Sequence, residues 1–187
     1  MHHNWLVTDD GQYRPFGHPH SLEPGQYYRL YRFLTDVEDI LATFHDDISR
    51  IEAITPLVRK LLSSSYWLKT TALTPDPEKG WASRDLYQEH EFPLTLQMVT
   101  WLPGPEIAPK TYDTWGILAL VSGQMRHELG GPSLGVDPPQ PEPFTQDLIL
   151  NPGDVIAFTH HTRHRRITLG ETPTVALALY GAPHLRP

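Results

Sequence analysis

The sequence predicts a mainly β domain, folded as a sandwich or barrel, with an α-helical region ahead of it. Three observations carry this expectation. Apolar residues recur at helical spacing between Tyr28 and Leu62. After Ser65 the pattern changes to short segments with a period of two. Gly and Pro then punctuate those segments at Pro103-Gly104, Ser122-Gly123, Pro152-Gly153 and Leu169-Gly170. With 187 residues the chain has the size of one domain and can bury a sizeable core.

Each element follows in chain order. Residues 1–26 mix Gly, Pro and His irregularly and are read as an extended arm, with the domain proper at 27–187. Leu30, Phe33, Leu34, Val37, Ile40, Leu41 and Phe44 form one helical stripe, and Ile48, Ile51 and Ile54 continue it. Thr35 and Glu38 have capping-box spacing. Thr55-Pro56 marks a second helix start, with proline at the first helical position, and Leu57, Val58, Leu61 and Leu62 supply its apolar face. Residues 27–64 should therefore be two or three amphipathic helices, with a barrel over 66–183. Strands are expected at 85–87, 94–101, 116–121, 146–150, 154–158, 165–169 and 174–180. Gly131 to Pro143 holds five prolines and should be an irregular loop.

Composition removes several function classes. There is no cysteine, so disulfides, thiolate metal sites and a cysteine nucleophile are excluded. The net charge of −7 argues against nucleic acid as partner, because phosphate binding needs clustered Lys and Arg. The arginines of the one dense basic run, Arg163-His164-Arg165-Arg166, are read as a solvated strand edge. No segment is apolar for long enough to cross a membrane. The N-terminus has no basic stretch followed by an apolar run, so no secretory signal is expected and the location is read as cytoplasmic.

Three local features occur in a set order: Trp101-Leu102-Pro103-Gly104, then Thr114-Trp115-Gly116 through Ser122-Gly123, then Asn151-Pro152-Gly153-Asp154-Val155 with His164 ten residues after Asp154. Together they resemble the two cupin motifs. The resemblance implies a double-stranded β-helix, the jelly-roll barrel, with a His-x-His pair and a third histidine pointing inward. Residues two apart on a strand share a face, so such a pair presents two imidazoles to one point.

Helices, then Arg-x-Leu before a strand, then the barrel, is similar to the cysteine dioxygenase-like cupins over roughly residues 27–183. The resemblance implies that Arg84, in Ser83-Arg84-Asp85-Leu86, binds a substrate carboxylate. It implies that Tyr180, ending Val175 to Tyr180, assists catalysis. The family's iron would sit on three histidines, but alignment from Trp115-Gly116 puts Lys110-Thr111-Tyr112 where His-x-His belongs. Only His164 remains, as a metal ligand if metal is bound. Lysine and tyrosine must each lose a proton, from about 10.4 and about 10, before they coordinate. Iron is expected only if the family chemistry is retained, and otherwise no cofactor.

Three functions stay open. The first is a metal-poor or metal-free barrel that binds or acts on a small acidic molecule. In it Arg84 and Lys110 attract the acid, Tyr112, His164 and Tyr180 hydrogen-bond to it, and Lys110 and Tyr180 are the catalytic candidates. The second is a working thiol dioxygenase, an oxidoreductase whose metal site is rebuilt from other groups. For His160, His161 and His127 the favoured reading is a solvent-exposed side chain. The third is a non-catalytic structural or regulatory cupin. A homodimer is possible in each.

Overall fold

In the computed structural model, residues 2–17, 27–70, 73–88, 92–104, 108–131 and 143–182 are described. Most of the proline-rich stretch expected to be a loop lies outside them. Helices come first in the domain proper: α1 (Leu30–Thr43), α2 (Asp47–Ser64) and the short α3 (Tyr66–Thr70). Strands β1 (Asn4–Val7) and β2 (Tyr13–Pro15) precede them. Then follow β3 (Trp81–Gln88), β4 (Thr95–Trp101), β5 (Lys110–Thr111), β6 (Gly116–Ser122), β7 (Gln124–Gly130), β8 (Gln146–Leu150), β9 (Val155–Phe158), β10 (Arg163–Leu169) and β11 (Thr174–Tyr180).

The strands form two sheets, of order β2-β1-β9-β6-β11-β4-β3 and β5-β10-β7-β8. The eight strands from β4 to β11 divide into β4, β11, β6 and β9 in one sheet and β5, β10, β7 and β8 in the other. Two interlocked four-stranded Greek keys of this kind make a jelly roll. The mainly β class, the barrel and the helical region ahead of it are therefore as the sequence predicts.

The two sheets differ in what they face, and this sets their residue patterns. The larger sheet is buried on both sides. Leu96, Met98, Ile117, Ala119, Leu177 and Leu179 pack with Phe33, Val37, Ile51, Ile54, Val58 and Leu61 of the helices. Val99, Trp101, Leu118, Leu120, Ile156, Ala176 and Ala178 face the barrel interior. That is why β4 and β11 are buried at every position, and why β11 reads as a continuous apolar run from Val175. The smaller sheet has one wet face, so β7, β8 and β10 alternate.

Three local readings differ from the structure. Thr35 and Glu38 lie inside α1 and cap nothing. Pro56 also lies inside a helix: α2 starts at its cap Asp46, whose carboxylate accepts from the Ser49 N–H at 2.8 Å, and runs on through proline. Burial of Ile51, Ile54, Val58 and Leu61 along one stripe outweighs the one hydrogen bond that proline removes. The third concerns the N-terminal segment, which adds strands rather than only lying on the domain. β1 pairs in parallel with β9, and β2 pairs antiparallel with β1.

Arg59 of α2 fastens this extension. Its guanidinium donates to Asn4 Oδ1 at 2.7 Å, to the His3 carbonyl at 2.7 Å and to the Gly153 carbonyl at 2.9 Å. The Gly153 turn itself needs glycine, with φ at 91°. Asp154, next in that turn, accepts from the N–H groups of His3 and Asn151. Arg59→Met is expected to cost about 2 kcal/mol of unfolding free energy and to speed amide hydrogen exchange in β1 ahead of the barrel strands. Unchanged β1 protection by mass-resolved exchange would show that the extension is held by its strand pairing alone.

Candidate functional site

The period of two places polar side chains inside the barrel. On β10, Arg163 and Arg165 face outward while His164 and Arg166 face in. The outward pair is tied to the surface: Arg165 bonds to Glu128, and both guanidinium groups lie over the Phe144 ring, at 4.4 Å for Arg163 and 5.0 Å for Arg165. Arg166 is 3% exposed. His127 stands opposite Arg166 on β7, and Lys110 stands opposite His164 on β5. Directly paired residues share a face, so all four point to one region. Tyr112, two residues after Lys110, is buried beside them.

Across the barrel, β11 contributes Tyr180. The ring centroids of Tyr112 and Tyr180 are 5.3 Å apart, and those of Tyr112 and His164 are 5.7 Å apart. Phe158 stacks on His164 at 4.3 Å, and His127 lies 5.6 Å from His164. Arg166 donates to the Tyr112 hydroxyl at 3.4 Å and sits over the Trp101 ring at 5.0 Å. Gly116 lets the Tyr180 ring approach, since a Cβ there would come 3.0 Å from its Cδ1.

The structure thus gathers Lys110, Tyr112, His164 and Tyr180, and leaves Arg84 out. Arg84 is exposed on β3 and pairs with Met98, which faces the helices rather than the interior. Two residues replace it. Arg166 was expected at a solvated edge, and His127 was expected in solvent, yet His127 is wholly buried. The signal for Arg166 was available: if His164 points inward, the residue two positions later does too. His127 lies on a strand that was not marked as one, because only Met125, His127 and Leu129 alternate inward there. His160 and His161 are exposed, next to Asp47 at 2.6 Å and Asp113 at 3.2 Å. Trp101 and Trp115 are both buried.

Electrostatically the site is a cationic interior. No carboxylate lies within ion-pair distance of Arg166 among the described residues. Burial, and then Arg166, lowers the Lys110 pKa. Burial first, then Arg166, pushes His127 down to about 3. His164 falls well below its ordinary value for the same reasons, with His127 and Lys110 adding to them. Tyr180 is raised, by burial first and then by Tyr112. Both imidazoles are therefore neutral, and both ring nitrogens of each lack a hydrogen-bond partner among the described residues. Such a set can hold an anion. It does not fit iron: no three His, Asp or Glu side chains converge among the described residues, and the nearest charges are cations.

No protein-family profile matches the sequence, and no curated protein does. Solved structures do match at the level of the barrel. KdgF from a Halomonas species is 22% identical over 62% of this chain and 92% of its own, with a TM-score of 0.45. A cupin-superfamily protein from Desulfitobacterium hafniense is 13% identical over 62% of this chain and 86% of its own, with a TM-score of 0.45. Oxalate oxidase in complex with the substrate analogue glycolate is 15% identical over 60% of this chain and 56% of its own, also at 0.45. The jelly-roll assignment rests on the strand order given above.

The neutral histidines make stability depend on pH with a definite sign. In the unfolded chain each takes up its proton near pH 6.5, whereas folded His127 does so only near 3. Between those values the unfolded state binds more protons, so acidification destabilises the fold. The loss starts below about pH 6.5 and reaches up to about 1.4 kcal/mol per pH unit per histidine. Urea unfolding between pH 7 and pH 5 should show this slope, and His127→Leu should reduce it. A wild-type profile that stays flat over that range would contradict the buried, neutral assignment.

Proposed function

We propose that the barrel binds a small organic acid, held by Arg166 and Lys110 and lined by Tyr112, His127, His164 and Tyr180. One observation carries the reading: Arg166 is buried, charged and without a carboxylate to answer it among the described residues. Burying an unanswered guanidinium costs several kcal/mol of desolvation. The Trp101 ring and neutral hydrogen bonds to the Tyr112 and Tyr180 hydroxyls offset only part of that. A ligand carboxylate supplies the missing charge and accepts two parallel N–H bonds from the planar fork. Lys110, only partly buried on the edge strand β5, adds a second cation to the set.

The likeness to cysteine dioxygenase-like cupins then extends to acid recognition and not to iron. An oxygenase would need a cation where this interior concentrates positive charge. Within the same set, Lys110 is the group suited to proton transfer, since burial and Arg166 bring it closer to neutrality. A purely structural role is disfavoured because a buried lone arginine weakens a scaffold that an apolar residue would strengthen.

This yields a test in which stability and binding move in opposite directions. Arg166→Met is expected to be neutral or to raise the unfolding free energy by up to about 3 kcal/mol, and to lose binding of propionate and succinate measured by calorimetric titration. A variant that is strongly destabilised, or one that binds these acids as the wild type does, would remove Arg166 from the proposed role.

A further inference from the structure

The buried hydrogen-bonding groups around Arg166 say more about the acid than its charge. A neutral imidazole has one N–H that donates and one bare nitrogen that accepts. His127 and His164 therefore present two donors and two acceptors, and none of the four ring nitrogens has a hydrogen-bond partner among the described residues. The Thr162 backbone lies near the His164 ring without satisfying it. Trp101 Nε1, a donor only, and Thr168 Oγ1 are buried in the same condition. An ionised carboxylate accepts and never donates, so it can answer the N–H groups but not the bare nitrogens. An ammonium donates, but it would enter beside Arg166 and Lys110 and be repelled. A hydroxyl does both without charge.

We infer that the acid carries a hydroxyl, bonded between His127 and His164. The two ring centroids are 5.6 Å apart, close enough for one oxygen to accept from one ring and donate to the other. Arg166 stands directly across the strand pair from His127, which places the carboxylate next to that hydroxyl. Phe158, stacked on His164 at 4.3 Å, holds that ring's orientation, so the pair is set before the ligand arrives. The apolar wall of Leu118, Ile156, Ala176 and Ala178 leaves the rest of the molecule little polar contact, which favours a compact hydroxy acid. This inference rests on the acid-binding reading above. It names a substrate class, small hydroxylated monocarboxylic or dicarboxylic acids, in place of the amine- or thiol-bearing acids of the resemblance.

Calorimetric titration of the full chain with matched pairs tests it: propionate against lactate, and succinate against malate, with alanine as the amine analogue of lactate. The hydroxylated member of each pair should bind about ten-fold tighter or more, because the unhydroxylated acid leaves buried imidazole nitrogens unanswered. Alanine should bind more weakly than lactate. His127→Leu should bring each pair to within about two-fold, and His127→Gln, whose amide keeps a donor and an acceptor, should retain the preference. Equal affinity within both pairs overturns the hydroxyl assignment and leaves acid binding standing. A preference that survives His127→Leu overturns its placement on the imidazole pair. No binding of any acid overturns this inference and the proposed function together. The wild-type pairs decide the question even if a variant fails to fold.

Discussion

A guanidinium enclosed in a barrel, with no counter-charge among the described residues, is the constraint on which the rest of this structure turns. Arg166 sets the charge of the interior, lowers Lys110, and helps keep His127 and His164 neutral. It reaches Trp101 on one sheet from a strand of the other. Each neighbour is chosen to tolerate a cation: an indole face, a phenol oxygen, uncharged imidazoles. None of them cancels the charge. An interior built this way is held together by the apolar wall around it, and the proposed acid would supply the charge it lacks.

The architecture makes that constraint affordable. The larger sheet is buried on both faces, between helices and interior, and supplies most of the apolar contact. The polar residues sit on the smaller sheet, where each inward position alternates with an outward one. Arg163 and Arg165 settle their charge on the wet face, against the Phe144 ring and, for Arg165, Glu128, one residue away from Arg166 and His164. Division of labour between the sheets lets one barrel carry both a stable core and a destabilising site. Sites of this kind commonly weaken the fold that holds them.

The same arrangement explains why iron chemistry does not transfer with the barrel. Three imidazoles facing one point are a cation site. Here β5 brings an amine and a phenol to that point, and β10 adds a guanidinium two residues after its histidine. Under the proposed reading, a few inward positions set the sign of the ligand while the strand order stays that of the barrel. Fold and function separate here at the level of single side chains.

The sequence by itself determined the class of fold, because periods of 3.6 and two are written in the chain and Gly and Pro mark the turns. Periodicity marks the strand that ends at Tyr180 and, from Arg165 onward, the one that holds His164, whereas β5 is too short to leave a periodic signal and Lys110 and Tyr112 follow only from the resemblance. The sequence misplaced Thr35 and Pro56 as helix starts, because a buried stripe can override a local stop signal. Arg84 and Arg166 show the deeper limit. Both are arginines on strands, and which one enters the barrel depends on register against Met98 in one case and His127 in the other. Register is set by pairing between segments far apart in the chain, and a shift of one residue turns every side chain to the opposite face. Only the tertiary structure decided which arginine was buried, and with it the charge of the site.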